Sequence, residues 1–274
     1  MMRLYLLPIS TRRTLLYAQR LNVAATNKNA SYVDKTVAFA TKKWAQWEKK
    51  DAGWQRKVVD YGNHAFRRIP YEEWGLKSVP PLSARRRMEE LRGDQKVQLV
   101  FPPSAIPLHK AESVVKTLAT EREVLHKKRL VWCVLGMPLT IPVGLLPVIP
   151  NLPFFYLVYR AWSHWRAIMG GRHIQWLVQN RLLLEAPSES LDKVYGKEAQ
   201  SIIESDSGKE KMLITQKQVQ DISDTLDIPA LGIELERAIW QVENAIKEKE
   251  AQEGKAKDAT TKSQEASKDE KKEQ

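Results

Sequence analysis

The chain has 274 residues, a formal net charge of +11, 28% charged residues and a mean hydropathy of −0.45. That length holds one or two domains of ordinary size, and that polarity excludes a protein built mostly of lipid-facing helices. A single cysteine, Cys133, excludes an intrachain disulfide.

The charge is unevenly spread. Residues 1–129 hold 26 Lys and Arg against 12 Asp and Glu, whereas residues 160–274 hold 18 against 21. Between them, residues 130–159 carry no formal charge at all. A basic half beside an uncharged run points to anionic lipid as the partner. The basic residues are diffuse and follow no nucleic-acid-binding signature, so no nucleic acid is expected.

In chain order, MRLYLLPI (2–9) is a short apolar stretch that predicts a strand. No acid precedes Asp34, while Arg3, Arg12, Arg13 and Arg20 lie among Ser and Thr, the pattern of a mitochondrial presequence, or else the surface of a structural strand. Val33, Val37, Ala40, Trp44 and Trp47 recur at helical spacing, and Trp54, Val58, Tyr61 and Ala65 make a second stripe. Such basic, Trp-bearing stripes either lie on anionic lipid or, as the favoured reading, build the core of a small domain with lysines on the solvated side. Glu72 and Glu73 follow Pro70 and are read as acids complementing a helix N-terminus. KVQLVFPP (96–103) predicts a second strand able to pair with the first. Residues 110–129 predict a helix that leads directly into the uncharged run.

The run itself is long enough to cross a bilayer, which takes about 20 mostly apolar residues. Its five prolines, Pro138, Pro142, Pro147, Pro150 and Pro153, break any straight helix. Lys127, Lys128 and Arg129 precede it, and Arg160, Arg166 and Arg172 follow it. Positive flanks on both sides favour a membrane hairpin with both soluble parts in one compartment over a single crossing. The arm 154–169 then leaves along the interface. Residues 173–187 are expected to continue as helix that stops just before Pro187, residues 188–214 to form a linker, and Thr215 with Gln218 to cap a helix. A second helix starts at Pro229, with Leu235, Ile239, Val242 and Ile246 on one face. From Glu250 onward no Val, Ile, Leu or aromatic residue occurs, so order is expected to be lost.

The expected fold is thus mainly α with a small β pair. Its parts are a membrane-anchored α+β N-terminal region (1–129), a proline-broken membrane hairpin with its interfacial arm (130–169), a helix and linker (170–214), a C-terminal helical pair (215–249) and a disordered tail (250–274). No P-loop, dinucleotide fingerprint, HExxH or CxxC is present. The five histidines show no metal-ligand spacing with an acid or cysteine on a shared face. The chain is therefore read as a non-enzyme without cofactor or metal. For proton or cation handling, the candidates are His126 and His164, which flank the run, together with Asn151 and Arg160.

MRLYLLPISTRRTLLY, IPYEEWGLKSVPP and GMPLTIPVGLLPVIPNLPFFYLVYRAWSHWRA together resemble the fungal mitochondrial K+/H+ exchange-related family over about residues 1–185. The resemblance implies a protein of the mitochondrial inner membrane with its soluble parts in the matrix. It would take part in potassium–proton antiport and in matrix volume balance, as an exchanger subunit or essential component in a homo- or hetero-oligomer. It carries over no assigned functional residues. The competing reading is a membrane-anchored scaffold or regulator of another inner-membrane complex.

Overall fold

The computed structural model describes residues 2–21, 42–43, 46–47, 49, 52–92, 96–145, 151–204 and 208–269. The helix expected over 33–47 falls almost wholly outside them.

Both expected strands form. β1 (Met2–Pro8) and β3 (Val97–Phe101) pair in parallel, with Leu4 opposite Leu99. Two more strands join them. β2 (Thr14–Arg20) folds back antiparallel on β1, from Met2 opposite Arg20 to Pro8 opposite Thr14. β4 (Leu183–Pro187) runs parallel to β3. The β pair is therefore corrected to a four-stranded mixed sheet in the order β2-β1-β3-β4.

β1 is central and buried on both faces, which is why, Arg3 aside, it reads as an apolar run. Successive side chains point to opposite faces. Tyr5 and Leu7 join one core with Leu191, Tyr195, Ile222, Leu235, Ile239 and Val242. Leu4 and Leu6 join the other with Leu76, Val115, Ala167, Ile174 and Leu177.

The second face is covered by α2 (Tyr71–Ser78), α4 (Leu108–Thr120) and α6 (Leu152–Gln179). α1 (Trp54–Arg67) precedes them as expected, but among its described side chains Val59 is the buried one and Tyr61 is exposed. α3 (Ala84–Arg92) is a short surface helix. The helix expected over 110–129 is two helices, α4 and α5 (Glu123–Gly136), parted at Glu121 and Arg122. Close packing depends on two adjacent glycines of α6. A Cβ on Gly170 would collide with the Leu76 carbonyl of α2, and one on Gly171 with the Ala119 carbonyl of α4.

The first face is covered by α7 (Glu189–Glu204), α8 (Val219–Leu226) and α9 (Pro229–Asp269). α7 replaces the expected linker. It is kinked at Gly196, whose φ is 71°, and it packs Leu191, Tyr195 and Ala199 on the sheet. Thr215 and Gln218 form the expected capping box, and Pro229 opens the expected second helix. α9 continues past Glu250, where order was expected to end. Its Ala, Glu, Gln and Lys residues are strong helix formers even without an apolar face. The helix expected to stop just before Pro187 instead stops at Gln179. Arg181 takes a positive φ of 53° there, and the chain turns into β4.

The membrane-spanning reading is also corrected. No helix among the described residues is long and apolar enough to cross a membrane. α5 carries its charges in its first half, and its continuous uncharged stretch is only seven residues long, 130–136. At 1.5 Å per residue those cover about 10 Å. The chain then tightens into a 3-10 segment, Pro138–Leu145, with Pro142 inside it. α6 is long enough, but Arg160, Arg166 and Arg172 interrupt it, and from Arg160 onward it is largely buried in the protein. A hairpin does exist, with α5 packed on α6. Gly136 lies so close to Leu157 that an added Cβ would come within 3.3 Å of it.

Candidate functional site

The three helices that meet at the base of this hairpin converge on one buried polar cluster. α2 supplies Glu73 and Lys77, α5 supplies His126, and α6 supplies Arg160, Ser163 and His164. All six are buried, with Glu73 and Ser163 at 0% exposure. The α6 residues fall at i, i+3 and i+4, which places them on one helical face. Glu72 and Glu73 are neighbours in the first turn of α2 and diverge around its axis. Glu72 pairs with Arg122 at 2.6 Å, while Glu73 turns into the core.

Glu73 receives a two-toothed ion pair from Arg160, Nη1 to Oε1 at 2.7 Å and Nη2 to Oε2 at 3.2 Å. The Ser163 hydroxyl donates to Oε1 at 2.5 Å, and Lys77 Nζ donates to Ser163 Oγ at 3.0 Å. Lys77 also lies 3.2 Å from the centre of the Trp74 ring, a desolvated cation–π contact. Arg160 Nη2 lies 3.1 Å from His164 Nε2, and His164 Nδ1 lies 3.0 Å from His126 Nδ1.

These contacts fix the tautomers. A guanidinium only donates, so His164 Nε2 accepts and its proton is on Nδ1. That proton points to His126 Nδ1, which accepts, so His126 carries its own proton on Nε2. His126 Nε2 has no hydrogen-bond partner among the described residues.

The electrostatics agree with this arrangement. Burial works to raise the Glu73 pKa, but the Ser163 hydroxyl, Arg160 and His164 together outweigh it and hold the carboxyl below its usual range. Burial pushes His164 down to about 4 against the pull of Glu73. Burial also lowers His126, helped by Arg122, Arg129 and Arg160. Both imidazoles are therefore neutral at neutral pH. Burial brings Lys77 down to about 7, against the opposing attraction of Glu73 and Glu234. The cluster can hold a proton between two imidazoles, keep one carboxylate charged in the interior, and offer three donors to a cation. One donor atom each from Glu73, His126 and His164 lies within 4.8 Å of the others.

Of the four residues picked out from sequence, three meet here: His126, Arg160 and His164. Asn151 does not. It caps α6, accepting from the Phe154 N–H at 3.1 Å, and its amide donates to the Thr140 carbonyl at 2.6 Å, pinning the 3-10 segment to the start of α6. Arg160, read as part of the positive flank, is instead the buried partner of Glu73. Sequence reasoning missed Glu73, Ser163 and Lys77. The available signal was the R-x-x-S-H face of α6, a basic residue with no acid on its own arm and hence a partner elsewhere.

Above the cluster, the end of the hairpin exposes large apolar side chains. Leu139 is 80% exposed, Trp132 66% and Phe155 62%, and Val131, Val134, Leu135 and Ile141 are also exposed. Lys127, Lys128 and Arg129 border this surface and are exposed on α5.

No solved structure matches the chain. It is 27% identical over 206 residues to an uncharacterized protein of Saccharomyces cerevisiae, covering 66% of this chain and 62% of that protein. It is 31% identical over 139 residues to an uncharacterized protein of Schizosaccharomyces pombe, covering 50% of this chain and 58% of that one. The chain thus spans about three fifths of the length of these curated relatives. A family model matches residues 3–178, which take in the sheet through β3, all three helices of the cluster and the whole hairpin, and by that match the chain belongs to the mitochondrial K+-H+ exchange-related family.

Proposed function

We propose that the chain is an essential component of mitochondrial K+/H+ exchange that seats on the inner membrane by its hairpin end and works within an assembly. The observation that carries this reading is the charge-free end of the α5–α6 hairpin. It holds seven or more large exposed apolar side chains beside three exposed basic residues. A concentration of exposed apolar side chains of this kind marks a membrane or partner contact. Each large side chain removed from water contributes about 1.5–3 kcal/mol, and each nearby Lys or Arg adds about 1 kcal/mol at an anionic surface. Several of these together hold a protein at a bilayer without any crossing.

The same geometry argues for a subunit over a self-sufficient exchanger. A hairpin end that enters a bilayer without crossing it encloses no ion pathway, so the pathway belongs to an assembly. Two measurements test the reading. Alkaline extraction of mitochondria with protease protection should leave the chain with the membrane and its soluble parts shielded on the matrix side. Potassium-dependent proton exchange should fall in mitochondria lacking the chain and return with the wild-type chain. Release into the supernatant at alkaline pH would overturn the seating, and unchanged exchange without the chain would overturn the role.

A further inference from the structure

His126 and His164 turn the same ring nitrogen toward each other. Their Nδ1 atoms are 3.0 Å apart, and His164 Nδ1 is 3.6 Å from Glu73 Oε2. Zinc and similar divalent ions hold imidazole nitrogen at about 2.0–2.1 Å in tetrahedral sites, which separates neighbouring donors by about 3.3 Å. The two separations straddle that value. The donors come from three helices, and all three residues are at most 2% exposed.

We propose that Glu73, His126 and His164 form a binding site for one divalent transition-metal ion, with the two Nδ1 atoms and Oε2 as ligands and a fourth position open. The supporting hydrogen bonds suit that role. Oε1, the carboxylate oxygen that does not ligate, takes the two short bonds, from Ser163 and Arg160 Nη1, whereas Oε2 has the longer contact to Arg160 Nη2. Ligating carboxylates are oriented by such outer contacts. His126 is already in the ligating tautomer, with its proton on Nε2 and a lone pair on Nδ1. In His164 the proton moves from Nδ1 to Nε2 as the ion enters. Arg160 Nη2 then turns away from Nε2, while Nη1 stays on Oε1.

The neighbouring guanidinium repels a cation, so only an ion that bonds strongly to imidazole outcompetes it. Two nitrogens and one carboxylate suit zinc or cobalt. Potassium and magnesium prefer all-oxygen shells and are poorly served here. A bound ion ties α2, α5 and α6 together at the root of the hairpin. This inference is independent of the membrane reading, because it rests on the protein interior alone.

The test uses the purified full-length chain, stripped with a chelator and dialysed. Titration with Co2+ should give the visible absorption of a tetrahedral site saturating at one ion per chain, and Zn2+ should displace it. His126→Ala and His164→Ala should abolish the absorption, while His109→Ala, an exposed position, should keep it. Should the two site variants lose their circular dichroism, the wild-type chain decides alone, because Zn2+ that binds the folded state raises the melting temperature. Absence of the Co2+ absorption in wild type overturns the site. So does an absorption that folded His164→Ala retains, or a melting temperature that Zn2+ leaves unchanged.

Discussion

Arg160 and Glu73, 87 residues apart in sequence, close a buried two-toothed ion pair between α6 and α2 at 2.7 and 3.2 Å. Taking both charges out of water is expensive, and their attraction offsets that cost only while both partners are present. Glu73→Leu should therefore destabilise the chain by about 3–5 kcal/mol, because it strands a buried guanidinium. The double variant Glu73→Leu/Arg160→Met removes both charges and should recover most of that loss. Urea unfolding of the three chains checks it; a double variant no more stable than the single one would mean the pair is not what holds the helices.

Lys77 makes stability depend on alkaline pH. Its folded pKa is about 7, against 10.5 for the ordinary side chain, with burial as the largest cause. Between those values the unfolded chain binds more protons than the folded one, so stability rises with pH across that window. Raised from pH 7 to 9, the wild-type chain should gain resistance to urea, and Lys77→Met should gain less. Parallel pH curves for the two chains would show that Lys77 is charged in the fold through this range.

How much of this was legible follows from how local each signal is. β1 and β3 announce themselves as apolar runs ended by proline. β2 was hidden because TLLYAQR sits among the basic residues that resemble a mitochondrial address, and β4 because LLLEAP continues the apolar pattern of α6 past Arg181. Within the site, His126, His164 and Arg160 stood out because they flank the uncharged run. Glu73 did not, since an acid after proline has a sufficient local explanation and its real partner is fixed only by tertiary packing. The uncharged run was recognised for its apolar surface, but its length was overread. Prolines and the polar face of α6 leave too little regular apolar helix to cross a bilayer.

Gly170 tests the packing that brings the site together. Its Cα passes so near the Leu76 carbonyl that a methyl group has no room, and the obstacle is backbone, which cannot rotate away. Gly170→Ala should cost about 3 kcal/mol, the upper range for overpacking. The gain in helix propensity, about 1 kcal/mol, offsets only part of that. Thermal unfolding measures the balance, and an unchanged melting temperature would show that α2 and α6 are not in this contact.

Seating on a membrane and stability of the fold can be separated at the hairpin end, because its apolar residues contact water and not the core. Trp132 and Leu139 are 66% and 80% exposed. Replacing both with Asp removes two side chains worth about 1.5–3 kcal/mol each in an apolar medium and adds two charges that anionic lipid repels. Since about 1.4 kcal/mol is a factor of ten, binding to anionic vesicles should fall at least a hundredfold. Melting temperature should barely move, as surface changes usually stay within about 0.5 kcal/mol. Lys128→Glu/Arg129→Glu should weaken binding at low salt and matter less at about 1 M salt, where exposed charges are screened within about 3 Å. Co-sedimentation with vesicles of anionic and of neutral lipid, read beside the melting curves, separates the outcomes. Vesicle binding that survives Trp132→Asp/Leu139→Asp would move the contact away from the hairpin. A collapse of the fold would mean that these side chains belong to an interface within the protein.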